Sequence, residues 1–143
     1  MNTTQQTKID GRVAPMFAFL QKQGVDFTAT EHKSYKLTSE GFMPLTVETW
    51  IENETLSVSV CHYGESNGDL MADPEIVYKK ALHSDMEIPI YFKNDFVGIE
   101  QIAHKIENGQ ELYNRALIKD LQRFSKTWAR NLKAQGHKME CME

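Results

Sequence analysis

Hydrophobic and polar positions alternate most cleanly in two adjacent stretches. In Leu45–Glu52 the apolar residues Leu45, Val47 and Ile51 alternate with polar ones, apart from Trp50, which falls on the polar side. Residues 55–62 alternate too, with Leu56, Val58 and Val60 in phase. A period of two is that of a half-buried strand, because successive side chains leave a strand on opposite faces. Asn53-Glu54 between them is short enough for a tight hairpin, although Glu stands where Gly is favoured. The two strands are predicted to share one buried face, which His62 joins by parity.

Two stretches carry the helical period instead. Over residues 12–23, Val13, Phe17 and Leu20 recur on one side with Met16 beside them, and Gly24 supplies a stop. Asp10 or a close neighbour is the expected cap, and Pro15 then sits in the first turn, where its missing N–H costs little. Over residues 110–134, Tyr113, Leu117, Leu121, Phe124, Trp128 and Leu132 share a face, and Gly136 ends the run.

The remaining segments read as follows. Residues 25–41 are mixed, with a short strand near Tyr35 to Leu37. Residues 64–69 (GESNGD) are turn chemistry. Residues 70–80 are extended but interrupted by Asp73-Pro74, which suggests an edge strand or a bend. Residues 87–93 and 96–103 make a second hairpin across Asn94-Asp95, with Pro89 placing its first strand at a sheet edge. The prediction is an α+β fold: an antiparallel meander of about five strands, with an N-terminal helix and a long C-terminal helix packed on one face. Residues 10–137 form one domain in this reading, and residues 1–9 and 138–143 are flexible ends.

Composition fits that picture. A chain of 143 residues, 41% hydrophobic and 25% charged, buries one core and not two. No apolar run is long enough to cross a bilayer, and MNTTQQTKID lacks the apolar stretch of a signal peptide, so the protein is expected in the cytoplasm. Cys61 and Cys141 are then expected as free thiols.

Charge changes the picture more. Placed at 100° per residue, Arg115, Lys119, Arg123, Lys126, Arg130 and Lys133 fall within about 80° of one another, opposite the apolar stripe. Residues 110–134 hold these six cations against two acids, Glu111 and Asp120. With a net charge of −4 overall, the rest of the chain carries −8. A solvated outer face explains such a ridge, and so does a binding ridge for phosphates or an acidic protein surface. The acidic total, with pI near 5.7, argues against a dedicated nucleic-acid domain.

The segment from His62 to Glu75 is dense in potential ligands. His62, Asp69, Asp73 and Glu75 would suit a metal if the turn folded back, but the spacing matches no zinc or calcium pattern. The structural alternative makes Asn67-Gly68 a turn and Asp73-Pro74-Glu75 a helix or turn start. Cys61 and His62 are no catalytic pair, since adjacent strand residues face opposite ways. His32, His83, His104 and His137 read as surface residues.

His62-Tyr63, Asn67-Gly68-Asp69-Leu70-Met71, Asp73-Pro74-Glu75, Tyr91-Phe92, Asn94-Asp95, Phe124, Trp128, Asn131-Leu132 and Gln135-Gly136 together resemble an uncharacterised family of small proteins. Its members are carried by plasmids, phages and integrative elements. The resemblance covers roughly residues 45–136 and brings no established activity with it. It implies a small accessory protein that binds host factors, including ones that blunt defence systems. The leading expectation is a non-enzymatic protein without a cofactor that binds another protein. Nucleic-acid binding by the basic ridge is the second expectation, and a metal-dependent enzyme on His62, Asp69, Asp73 and Glu75 the third.

Overall fold

The computed structural model describes residues 14–81 and 86–140. Helix α1 is Pro15–Lys22, and the strands that follow are β1 (Lys33–Thr38), β2 (Leu45–Glu52), β3 (Thr55–Ser66), β4 (Asp69–Ala81), β5 (Ile88–Asn94) and β6 (Ile99–Ile102). A separate hairpin, β7 (His104–Glu107) and β8 (Gln110–Tyr113), leads into the long helix α2 (Arg115–Gln135), and β9 (Lys138–Met139) follows it. Seven strands make one antiparallel sheet in the order β6-β5-β4-β3-β2-β1-β9. Among the described residues the expected five strands are therefore seven, with a further two in the hairpin.

The predicted face is the one that is buried. Val47 pairs with Val60 and that row continues into Tyr35 of β1 and Ile76 of β4, while Leu45 meets Leu37 of β1, Val58 meets Tyr78 of β4, and Ile51 pairs with Leu56. Leu45, Val47, Leu56, Val58, Val60 and Ile76 are fully buried, each contributing roughly 1.5–3 kcal/mol by the transfer of its side chain out of water. Trp50 lies on the opposite face, across from Ser57. Both helices cover the first face, and Tyr78 shows it. The ring of Phe17 in α1 packs edge-on against Tyr78 at 5.4 Å between centroids, and Ser125 in α2 hydrogen-bonds the Tyr78 hydroxyl at 2.6 Å.

Turn chemistry sets the register. Asn53-Glu54 and Asn67-Gly68 each connect two strands in two residues, and all four have positive φ, the backbone that a twisted two-residue hairpin demands. The β3–β4 turn is thus Asn67-Gly68 alone. Residues 64–66, read as turn, continue β3. The β5–β6 connection is also different from the expected one: Asn94 pairs with Ile99, so the turn is residues 95–98.

Pro74 and Pro89 sit inside the sheet. Between Cys61↔Glu75 and Tyr63↔Ala72 the register slips, so His62 alone faces Asp73 and Pro74, whose peptide bond is cis. A β-bulge removes the need for proline to donate a ladder hydrogen bond, so β4 stays a continuous interior strand and is neither an edge nor a helix start. Pro89 lies at a second register shift, and β6 pairs only with Tyr91 to Asn94 of β5. Its strand is internal overall and unaccompanied only at that end.

The helices begin later than predicted. Ala14 occupies the cap position of α1 and makes no side-chain capping bond; Asp10 lies outside the described residues. Residues 110–113 belong to β8, and α2 starts after Asn114, whose side chain accepts the Leu117 N–H at 3.0 Å. Gly136 ends α2 with φ +81°, a conformation that favours glycine. Lys138 and Met139, read as part of a loose tail, instead pair with Thr38 and Leu37. Among the described residues no helix is long and apolar enough to cross a membrane.

Candidate interaction surface

The motif segments, far apart in sequence, meet at one end of the sheet. Asn94 donates from Nδ2 to Asp73 Oδ1 at 3.1 Å. The Ala72 N–H donates to Asp95 Oδ2 at 2.8 Å, and the Asp95 N–H returns a bond to the Ala72 carbonyl at 2.9 Å. The Phe96 N–H donates to Asn94 Oδ1 at 3.0 Å. The β5–β6 turn is therefore stapled to the β4 bulge, and Asn94, Asp95 and Asp73 are used in holding it. Polar side chains that bond backbone groups in this way define loop shape before anything else.

Beside that staple runs a file of rings. Phe42, His137, His62, Trp128, Phe124 and Phe92 follow one another at centroid separations of 6.2, 5.8, 5.5, 5.8 and 5.6 Å. It joins the β1–β2 loop, β3, α2 and β5. Within it Trp128 and His137 are buried, at 6% and 1% exposure, Phe92 at one end is half-buried, and Phe42 at the other end and Phe124 are exposed. His137 was expected on the surface. The left-handed turn at Gly136 instead directs the chain back under the β1–β2 loop, where His137 Nε2 donates to the Met43 carbonyl at 2.9 Å.

His62 Nδ1 makes the matching bond to the next carbonyl, Pro44, at 2.9 Å. A carbonyl only accepts, so in each ring the nitrogen named carries the proton. Burial holds the His62 pKa below its usual value, and the neighbouring His137 adds to this against the Pro44 carbonyl and Asp73. Of the other histidines, His32 is exposed as expected and His83 lies outside the described residues. His104 is shielded, its ring against Tyr113 at 4.7 Å and its Nε2 2.9 Å from Glu111.

Around the ring file the surface is apolar. Gly64 follows His62 on the same side of β3, and a Cβ there would stand 3.0 Å from the Phe96 ring and 3.9 Å from the Met43 methyl. Phe96 and Met43 thus close over a glycine that has no side chain to separate them. Phe42, Met43, Phe96 and Val97 are all exposed, as are Tyr63 and Leu70 on the other side of the β3–β4 hairpin. Phe42, Met43, Phe96 and Val97 belong to the loops between β1 and β2 and between β5 and β6.

The basic ridge lies on the same helix as Phe124 and Trp128, on the face turned away from them. Arg115, Lys119, Arg123, Lys126, Arg130 and Lys133 all lie on α2 and all are exposed. Glu111 lies outside the helix, so Asp120 is its one acid, and it pairs with Arg123 at 3.0 Å. No other ridge cation has an ion-pair partner among the described residues.

The proposed metal ligands are not brought together. His62 points to the helix side of the sheet, Glu75 to the other face, where Ser59 donates to it at 2.8 Å, and Asp69 lies exposed at the hairpin tip across from Ser66. Among the described residues no three metal-ligating side chains are clustered. Cys61 is buried on the face opposite His62, and burial beside Glu75 pushes its thiol up to about 12. Cys141 lies outside the described residues.

Residues 16–138 match the family model "Domain of unknown function (DUF6908)", and the chain belongs to that family. No curated protein and no solved structure matches the chain.

Proposed function

We propose that this member of the DUF6908 family is a non-enzymatic interaction protein that grips an acidic, apolar-bearing segment of a partner protein between the Phe42–Met43–Phe96 surface and the basic ridge of α2. The observation that carries the reading is the exposure of Phe42, Met43 and Phe96 together, at the place where the motif segments meet. Apolar side chains gathered on loops, rimmed by charge, are the usual composition of a protein-binding patch. The six exposed cations of α2 would select the sign of the partner. Resemblance of the motifs to proteins of plasmids, phages and integrative elements makes a bacterial host protein or another product of the element the partner class, and interference with a defence system is one form the activity would take.

A second reading has its own observation. Exposed aromatic rings next to cations are also how single-stranded nucleic acid is held. The net charge of −4 weighs against it.

The test is affinity capture from bacterial lysate, with and without nuclease, comparing the wild type with Phe42→Ser/Phe96→Ser and with Lys119→Glu/Arg123→Glu/Arg130→Glu. A protein that survives nuclease and is lost with both variants is the expected result. Capture unaffected by either variant rejects the reading, and nucleic acid retained only without nuclease and lost in the charge variant replaces it with the second.

A further inference from the structure

The two edges of the seven-stranded sheet are built differently. β9 is two residues long and carries Lys138, and a short, charged edge resists further pairing. β6, at the other edge, holds no proline, lysine or arginine, and all four of its side chains are exposed, Ile99 at 44% and Ile102 at 61%. Val97, just before it, is exposed at 64%. Among the described residues no strand lies beyond β6. A bare edge is a row of backbone donors and acceptors at strand spacing, and the chemistry that satisfies it is another extended backbone.

Register and charge say which backbone. A two-fold axis through an antiparallel pair keeps every side chain on its own face, so β6 could meet β6 of a second copy only with residues of like parity opposite. Centred on Glu100, that pairing sets two carboxylates directly against each other, which is destabilising. Centred on Gln101, it sets Glu100 against Ile102. Glu100 is also short of a cation: Lys93, its cross-strand neighbour, bonds Asp95 at 3.4 Å, and the Glu100 carboxylate is held by the Tyr91 hydroxyl at 2.5 Å. We infer that β6 is a strand-addition site for an extended segment of a different protein, running antiparallel, with a lysine or arginine opposite Glu100 and an apolar residue opposite Ile102. Read along that segment, the pattern is apolar-x-cation, both side chains on the sheet face away from the helices. The site goes beyond the helix-side surface and stands without it.

The experiment is selection of phage-displayed random dodecamers on the intact protein, followed by binding and amide hydrogen exchange with the best synthetic dodecamer. Enrichment of apolar-x-Lys or apolar-x-Arg is expected, with slowed exchange confined to residues 99–102. Glu100→Lys should weaken binding about fivefold or more, and a dodecamer with Glu in place of its cation should bind that variant and not the wild type. The inference is overturned if nothing enriches, if Glu100→Lys binds the original dodecamer equally, if protection falls elsewhere, or if the wild type dimerises through β6. Phe42→Ser/Phe96→Ser should leave dodecamer binding intact, which separates this site from the surface proposed above.

Discussion

Glu87, 70 positions along the chain from Phe17, accepts that residue's backbone N–H on Oε1 at 2.8 Å. Phe17 lies in the first turn of α1, whose cap residue, Ala14, has no side chain with which to bond it. The carboxylate that the helix lacks locally comes from the residue just before β5, and its other oxygen takes a bond from Ser125 of α2 at 3.3 Å. Ser125 in turn meets the Tyr78 hydroxyl at 2.6 Å, so one buried chain of polar groups ties both helices to the sheet.

Removing Glu87 therefore strands more than one group. Glu87→Ala should lower the unfolding free energy by about 1–3 kcal/mol, the cost of leaving a buried N–H or hydroxyl unpaired. Adding a local cap, Ala14→Asp, should recover about 1 kcal/mol in the Glu87→Ala background and less in the wild type. Urea unfolding of the four proteins checks both, and equal gains in the two backgrounds would show that Glu87 is not acting as the cap.

Acid should loosen the end of the sheet that holds His62. Its folded pKa lies below the ordinary 6.5, so its contribution is complete above that value and is lost as pH falls toward the folded pKa. Asp26 and Glu111 are also held low, but their contributions fade only as pH falls past their ordinary values of 3.8 and 4.5. Stability measured between about pH 7 and pH 5 should thus decline in the wild type and decline less in His62→Phe. Identical slopes would remove His62 from the account.

The β2–β3 turn leaves room for improvement. Glu54 sits at φ +61°, where a side chain clashes with its own backbone and glycine does not. Glu54→Gly should raise stability by about 1 kcal/mol, or roughly 2–4 °C in Tm for a chain of this size, measured calorimetrically. No change, or a loss, would mean the strands set the turn without help from it.

Thr49 is fully buried on the helix side of β2, and its hydroxyl has no hydrogen-bond partner among the described residues. Thr49→Val keeps the shape and discards the polar atom. It should stabilise by about 1 kcal/mol in denaturant unfolding, and destabilisation would reveal a partner for that hydroxyl.

How legible this fold was depends on how local each cause is. The β2–β3 hairpin, its buried face and the body of α2 follow from alternation and periodicity, because the side chains that decide them lie within one element. The sequence also contained the sign of β7–β8: Asn108-Gly109 connects the two strands with both residues at positive φ, but the helical stripe was extended back over Tyr113 and hid it. Pro74 and Pro89 misled because a bulge depends on the opposite strand, which a single segment does not disclose. Glu87 as the cap of α1 and His137 as a buried ring depend on contacts 70 and 94 positions apart. The ridge of α2 was legible to the residue, since one helix carries all of it. The ring file spans two strands, a helix and two connecting segments, and nothing in the spacing of its members announces it.

The strand order has a consequence for the growing chain. Strands β1 to β6 sit side by side in the order in which they are made, so each pairs with its predecessor across a short connection and the sheet can zip up from one hairpin. Of the two helices that cover its apolar face, α1 comes before all six and α2 after them. During synthesis the part of that face that α2 covers stays wet until α2 has been made, and β9 then closes against β1, the first strand of the sheet to appear. A chaperone that shields the half-built sheet would have to let go of the face that α2 finally occupies.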